Sequence, residues 1–448
     1  MSNWTAAIEK HKEEVPYLLQ SNRDRQLEVL EDWKERLQVS ERGKIYSNPF
    51  NVLLILQNDE NLKGRFAFNL LTKMPEISGQ VLWKRINNSA VLTDHDDSCL
   101  RNYLSINYDI KAKDIVYDSL NQIVLENQYH PVRDYLSSLP KWDGKPRLDT
   151  LLIDYFDAED TKLNRAQTRQ TFIGAIKRAF QPGCKFDYVL TLKGPQGVGK
   201  STFLEAISVR KEWFSDSMDD IRGKDAKEQL SGNWIIELGE MAAVGSGDQK
   251  RIKQFITSTE DEFRPAYGRR TIRVPRQNIF VATTNDDLPL KDDTGGRRWW
   301  IVEVKSKWFE KDIPLEVDQI WAEAVSVYKY MESNKIPLKL ENDLEAEAKK
   351  IQNENTDKGI YATEIEYVLS RGYIEKDDFH QGKIRIPITE TCAFHVWEEI
   401  LGRYRQDLTK VTAREINATL KNMPGWICRG RVQFGEYGKQ TVYKRGDI

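Results

Sequence analysis

The sequence predicts an α/β fold built on a parallel sheet that carries a P-loop, and three observations predict it. Between residues 183 and 305, apolar strand-like runs alternate with helical patterns, as parallel strands joined by helical crossovers require. The run Tyr188–Leu192 leads straight into Gly194-Pro-Gln-Gly197-Val-Gly199-Lys200-Ser201, which fits the spacing G-x-x-x-x-G-K-[ST] in full. Ser201–Ile207 then continues as a helix former.

Composition bounds what surrounds this core. A chain of 448 residues with 40% apolar content can bury a large core and is not disordered. No apolar stretch approaches the length that spans a bilayer, and the N-terminus lacks the basic-then-apolar pattern of a secretory signal, so the expectation is a cytoplasmic protein without a membrane partner. Cys99, Cys184, Cys392 and Cys428 lie far apart and show no metal spacing. The five histidines are scattered and read as structural or surface residues. A net charge of −2 excludes a polycation, so any nucleic-acid contact must come from local patches.

In chain order, residues 1–48 are charged, with leucines at 18, 19, 27, 30 and 37 near helical spacing. Gln80–Ile86 reads as a strand, and Ser98–Asn107 and Lys111–Glu126 read as helices. This predicts a helical or mixed N-terminal domain over 1–130. The turn formers of 131–150 (Pro131, Pro140, Asp143-Gly144, Pro146) open a helical lead-in, 131–182, with helices over Leu151–Phe156 and Gln167–Phe180. The P-loop core takes 183–338, with strands expected at Asp187–Lys193, Asn233–Leu238, Asn278–Thr284 and Arg298–Val304 and a helix at Leu315–Glu332. The charged, aromatic-free segment 339–357 reads as an exposed helix or linker. Residues 358–448 show helical patterns at Ala362–Ser370, Ala393–Tyr404 and Ala413–Lys421, then strands at Trp426–Phe434 and Gln440–Arg445. Three helices closed by a hairpin predict a small winged-helix-like domain.

The glycine loop has a direct physical use. Gly194, Gly197 and Gly199 let backbone N–H groups turn inward onto phosphate oxygens, and the following helix points its positive end at the same anion. Gly194, Pro195, Gln196, Gly197, Val198, Gly199, Lys200, Ser201 and Thr202 are the expected nucleotide contacts. Lys200 would reach the β- and γ-phosphates and Ser201 would help hold Mg²⁺, so the cofactors are ATP and Mg²⁺.

Two later strand ends fit the same site. Trp234-Ile-Ile-Glu237-Leu-Gly-Glu240 ends in two carboxylates, assigned to the metal shell (Glu237) and to activation of the attacking water (Glu240), although the two roles could be exchanged. Ile279–Asn285 ends in an amide able to orient that water. The glycines before Arg297 and Arg298 suit a loop projecting a cation towards a neighbouring subunit. One finger and one structural arginine are expected, with Arg298 the more natural structural one because it opens a strand. Between these strands, Arg264–Arg276 holds five arginines and no acid around a Tyr267-Gly268 turn. It reads as a hairpin or loop whose Tyr267, Arg269, Arg270 and Arg273 suit a nucleic-acid strand, against the alternative of a surface self-paired with Glu260, Asp261 and Glu262.

With HPVRDYLSSLPKWDGKPRL, PGCKFDYVLTLKGPQGVGKST, WIIELGEM, FRPAYGRR, FVATTN and TGGRRWW in order, the chain resembles the virulence-associated E family of phage and pathogenicity-island replication proteins. That family is similar to superfamily 3 helicases among the AAA+ ATPases. The resemblance implies a homo-hexameric ring with nucleotide bound between subunits and a pore hairpin, Tyr267–Arg270 here, gripping single-stranded or forked DNA. It also implies an arginine finger at Arg297 or Arg298. Many members of the family carry a fused primase; the sequence before residue 130 leaves no room for one, so any primase is expected as a separate chain, alongside other replication proteins. The family pattern has two adjacent acids, whereas Leu238 and Gly239 separate Glu237 from Glu240, so the metal and water roles stay open between them. The activity implied is that of an ATP-dependent helicase or replication initiator-helicase of a mobile element. A DNA-binding ATPase switch or loader, and an NTPase scaffold without nucleic acid, remain the alternatives.

Overall fold

The computed structural model describes residues 33–85, 89–216, 224–239, 246–263, 271–286, 296–305, 313–356, 361–378 and 382–446. The described residues up to Gln352 form one compact unit, and those from Asn353 onwards form a second.

The first unit opens on a layer with its own apolar core, in which Val52, Ile55, Leu56, Leu100, Leu104 and Leu120 are buried together. Its helices are Pro49–Asn58, Asp94–Tyr108 and Lys113–Glu126. Strand β1 (Phe66–Asn69) pairs antiparallel with β2 (Met74–Ile77) and parallel with β3 (Gln128–Tyr129). Two expectations fail here, and in both places side-chain hydrogen bonds organise a loop. Of the expected N-terminal helical stretch, residues 1–32 lie outside the described residues. Past a short 3-10 turn at Trp33–Arg36, the chain runs as a loop closed by a Val39–Ile45 bridge. Buried Asn51 accepts from Gln38 N–H at 2.8 Å and donates to the carbonyls of Gln38 and Tyr46 at 2.8 and 2.9 Å. The expected strand Gln80–Ile86 is absent over its described part. Trp83 Nε1 and Arg85 Nε reach Asp96 at the start of a helix instead, at 2.8 and 3.2 Å.

The main sheet has five parallel strands: β4 (Val189–Lys193), β5 (Phe214–Ser215), β6 (Ile235–Leu238), β9 (Ile279–Thr284) and β10 (Trp299–Glu303), in the order β10-β4-β9-β6-β5. All six residues of β9 and all four of β6 are buried, which explains their unbroken apolar runs. The chain is therefore a mixed α/β protein with a parallel sheet. Helix Lys162–Phe180 is buried on nearly every side, and Ile313–Ser333 packs against it. Trp321 locks this layer. It stacks near Trp234 at 4.3 Å and Phe172 at 4.9 Å, and its indole N–H donates to Ile207 O at 2.9 Å. Of the two expectations for the charged segment 339–357, the helix is found: Asn342–Glu354 is mostly exposed but buries Ala348 and Gln352, and Gln352 Nε2 donates to Trp299 O at 2.7 Å.

Strands β7 (Glu260–Phe263) and β8 (Ile272–Pro275) form an antiparallel hairpin leading into β9. In the second unit, β11 (Tyr373–Asp378) and β12 (Gly382–Pro387) form a hairpin that the sequence patterns do not signal. Strands β13 (Glu390–Cys392), β14 (Trp426–Gln433) and β15 (Lys439–Arg445) form an antiparallel sheet in the order β13-β15-β14. Its helices are Ala362–Arg371, Lys410–Asn422 and a short Ala393–His395 segment that runs into a π-turn ending at Ile400, four residues before the expected end. Ile365, Leu369, Trp397, Ile416 and Leu420 form its core. Among the described residues no helix is long and apolar enough to cross a membrane.

His130 joins the N-terminal layer to the approach to β9. Its Nδ1 accepts from Arg133 N–H at 3.3 Å, so the Nε2 proton faces Gln277 Oε1 at 2.5 Å, and Gln277 Nε2 donates to Leu70 O at 2.8 Å. Burial is the main cause that pushes the imidazole down to about 4, opposed by Gln277 and assisted by the cations Arg133 and Lys73. Between about pH 6.5 and 4 the unfolded chain binds this proton and the folded chain does not. Stability from this group is therefore complete above pH 6.5 and declines as pH falls towards 4, by up to about 3 kcal/mol. Urea unfolding of wild type and His130→Asn at pH 7.5 and 4.5 should show a smaller acid loss in the variant; equal losses would contradict this account.

Candidate functional site

In an open parallel sheet the crevice for a ligand lies beyond the carboxyl ends of the strands. Here β9 lies between β4 and β6, so the loop after β4, Asn285 after β9 and the end of β6 converge on one edge. A cavity of ≈ 420 Å³ opens there, lined by Gln196, Gly197, Gly199, Lys200, Ser201, Thr202, Asp216, Glu237, Gly239, Thr283, Thr284 and Asn285.

The loop needs its glycines for two different reasons. A Cβ on Gly194 would stand 2.2 Å from Val304 O, so only hydrogen fits where the loop passes β10's exit. Gly194 N–H also donates to Thr284 O at 3.1 Å, pinning the loop to β9. Gly197 and Gly199 have φ of 81° and 84°, the left-handed region, and Gly199 caps helix Lys200–Ile207.

Lys200 is buried, and each of its three donors has an acceptor: Gly194 O at 2.7 Å, Pro195 O at 2.8 Å and Asn285 Oδ1 at 2.8 Å. Burial lowers its pKa, while Glu237 opposes the shift. Ser201 Oγ donates to Glu237 Oε1 at 2.8 Å, and Thr283 Oγ1 donates to the same oxygen. Glu237 is 3% exposed, yet its Oε2 has no hydrogen-bond partner. Burial raises the Glu237 pKa, against the bonds from Thr283 and Ser201; Asp216 adds to the rise and Lys200 opposes it. Chemically, this is a cationic, N–H-bearing loop beside a carboxylate with one unused oxygen.

The structure thus brings Lys200, Ser201, Glu237 and Asn285 together, with Gln196, Gly197, Gly199 and Thr202 on the same wall. Pro195 takes part through its carbonyl, and the Val198 side chain packs on the apolar core. Glu240, Tyr267, Arg269 and Arg270 lie outside the described residues. Arg297 is exposed, whereas Arg298 pairs with Asp187 at 3.8 Å, just before β4. Arg273 faces Glu262 across the β7–β8 ladder and pairs with it at 3.3 Å, both well exposed. At the hairpin base, Arg276 is buried and forks onto Asp261 at 2.6 and 2.8 Å, over the rings of Phe255 and Phe280.

Asp216 and Thr283 are lining residues that sequence reasoning missed. Asp216 follows a two-residue strand too short to show periodicity. Thr283 was hidden within an apolar run, although period-two alternation places it on the same face as Val281, which pairs with Glu237. Among the described residues, no group of three or more His, Cys, Asp or Glu is arranged to hold a metal by itself.

Residues 136–357 match the virulence-associated protein E-like domain family. Among solved structures, the chain is similar to two apo structures of the NrS-1 C-terminal region (305–718). The A form is 14% identical with a TM-score of 0.47, and the other is 15% identical with a TM-score of 0.48; each alignment covers 90% of this chain and 100% of that one. No curated protein matches the sequence.

The two glycine constraints predict different costs. Gly197→Ala meets no atom within 4 Å and should lose about 1 kcal/mol, from backbone strain alone. Gly194→Ala drives a methyl group into backbone and should lose more than about 2 kcal/mol. Urea denaturation of both variants orders them, and a Gly194→Ala protein as stable as Gly197→Ala would contradict the close approach.

Proposed function

We propose that this chain, which carries a virulence-associated protein E-like domain, is a P-loop NTPase of the AAA+ type that works as an ATP-driven DNA helicase or initiator-helicase in replication of a phage or mobile element. The observation that carries the reading is the convergence on one cavity of Lys200 and Ser201, at a glycine-capped helix start, with Glu237 and Asn285 from two neighbouring strand ends.

An ATP polyphosphate would lie along the loop N–H groups and draw Lys200 from the Gly194 and Pro195 carbonyls, leaving Asn285 to face the γ-phosphate and its attacking water. Ser201 and Glu237 fit Mg²⁺, since the hydroxyl and carboxylate touch and Glu237 keeps an unused buried oxygen. When bound, Mg²⁺ would neutralise charge on the phosphate oxygens. Glu240 is the proposed water-activating group. Arg298 is half-buried beside Asp187 whereas Arg297 is exposed, which favours Arg297 as the finger contributed to a neighbouring subunit's nucleotide in a homo-hexameric ring.

The β7–β8 hairpin would present Tyr267, Arg269 and Arg270 to single-stranded or forked DNA in the pore. Arg273, paired with Glu262, would contribute less. In the second unit, the helices and the β13-β15-β14 sheet fit a winged helix, with β14–β15 as the wing, carrying exposed Arg431, Lys439 and Lys444, and exposed Lys410 and Arg414 on the helix before it. Other replication proteins, a primase among them, are the proposed partners.

Lys200→Ala should lower ATP turnover by about 100-fold or more while leaving the circular dichroism spectrum unchanged; retained turnover would refute the assigned chemistry. Arg269→Ala with Arg270→Ala should weaken single-stranded DNA binding and reduce its log K against log salt slope by about 1.4. An unchanged slope would favour an NTPase scaffold without nucleic acid, and DNA-stimulated ATPase without strand displacement would favour a switch or loader.

A further inference from the structure

Asp216 stands in this site without a role. It directly follows β5, which pairs in parallel with β6 through Phe214–Ile235 and Ser215–Ile236. Asp216 follows Ser215 as Glu237 follows its partner Ile236, at the same end of the two paired strands. Both residues line the cavity. Asp216 is exposed, so its carboxylate stays accessible to a ligand, whereas Glu237 is 97% buried and retains the unpartnered Oε2.

The charge balance at this end of the cavity is incomplete. Two neighbouring carboxylates repel unless a positive group lies between them. Ser201 and Thr283 both donate to Glu237 Oε1 and leave Oε2 unserved. The donors of Lys200 are taken by Gly194, Pro195 and Asn285. A hydroxyl, one buried carboxylate oxygen and one solvated carboxylate form an all-oxygen set suited to a hard divalent cation that keeps part of its water shell.

We propose that Asp216 is a positioning residue for the divalent cation of this site, holding it directly or through a bound water alongside Ser201 and Glu237. This rests on the nucleotide reading of the cavity. Without the cation, the Asp216 charge opposes an incoming polyphosphate; with it, that opposition becomes attraction. Asp216 therefore strengthens the dependence of nucleotide binding on metal.

The test is a fluorescence titration with mant-ATP, in excess Mg²⁺ and in EDTA, on the full chain. In Asp216→Asn, the ratio of the two dissociation constants should fall at least ten-fold relative to wild type. The half-saturating Mg²⁺ should rise, the thermal unfolding midpoint should stay unchanged, and Asp216→Glu should restore part of the ratio. A ratio within two-fold of wild type in Asp216→Asn overturns the assignment, even where turnover falls, because the residue would then act on something other than the cation. Wild-type protein that binds no mant-ATP in either condition would bring down the nucleotide reading itself, and the Asp216 role with it.

Discussion

One ammonium group holds the site in shape. Lys200 Nζ sits where the glycine loop after β4 meets Asn285 beyond β9, and it donates to both. A buried lysine is tolerable only when its donors are all used, and here each has an oxygen within 2.8 Å. The sheet order makes this possible. With β9 inserted between β4 and β6, the loop, the amide and the Glu237 carboxylate stand on successive strands about 4.8 Å apart. If β4, β9 and β6 were not contiguous, the same residues would be spread along the sheet edge.

The site was legible where its chemistry lies within short sequence, and hidden where it depends on neighbouring strands. Gly194 to Ser201 is a contiguous motif, and the four long strands announced themselves as apolar runs because both faces are covered. Nothing in the sequence says that β9 lies beside β4, that Thr283 shares an oxygen of Glu237 with Ser201, or that Asp216 follows a strand at all. Those facts come from pairing. The N-terminal loops were equally hidden, because they are held by side-chain bonds of Asn51 and Asp96 to residues some way along the chain.

The arginines show how much a cation's role depends on distant partners. The sequence presents Arg273 and Arg276 in one basic segment and Arg297 and Arg298 as an adjacent pair after the next strand. Folding divides them into an exposed pair with Glu262, a buried fork on Asp261, a solvent-facing Arg297 and a contact with Asp187. Asp187 lies more than a hundred positions before its partner, beyond the reach of any local reading. Buried pairs of this kind are costly to break, because the remaining charge has nowhere to go.

That rule bears on how the β7–β8 hairpin can move. Only Arg276, Gln277 and Asn278 separate β8 from β9, and all three are buried. Arg276 is tied to Asp261, Gln277 to His130 and Leu70 O, and Asn278 Nδ2 to Leu230 O at 3.2 Å. Moving the hairpin with this connector would strip Gln277 and Asn278 of their partners and Arg276 of its bond to Phe255 O, at several kcal/mol. The hairpin base therefore moves with the sheet. In a ring motor of the proposed kind, a change at the Asn285 end of β9 would reach DNA through displacement of the whole subunit, with the hairpin carried as a rigid extension of the strand that also carries the nucleotide-facing amide.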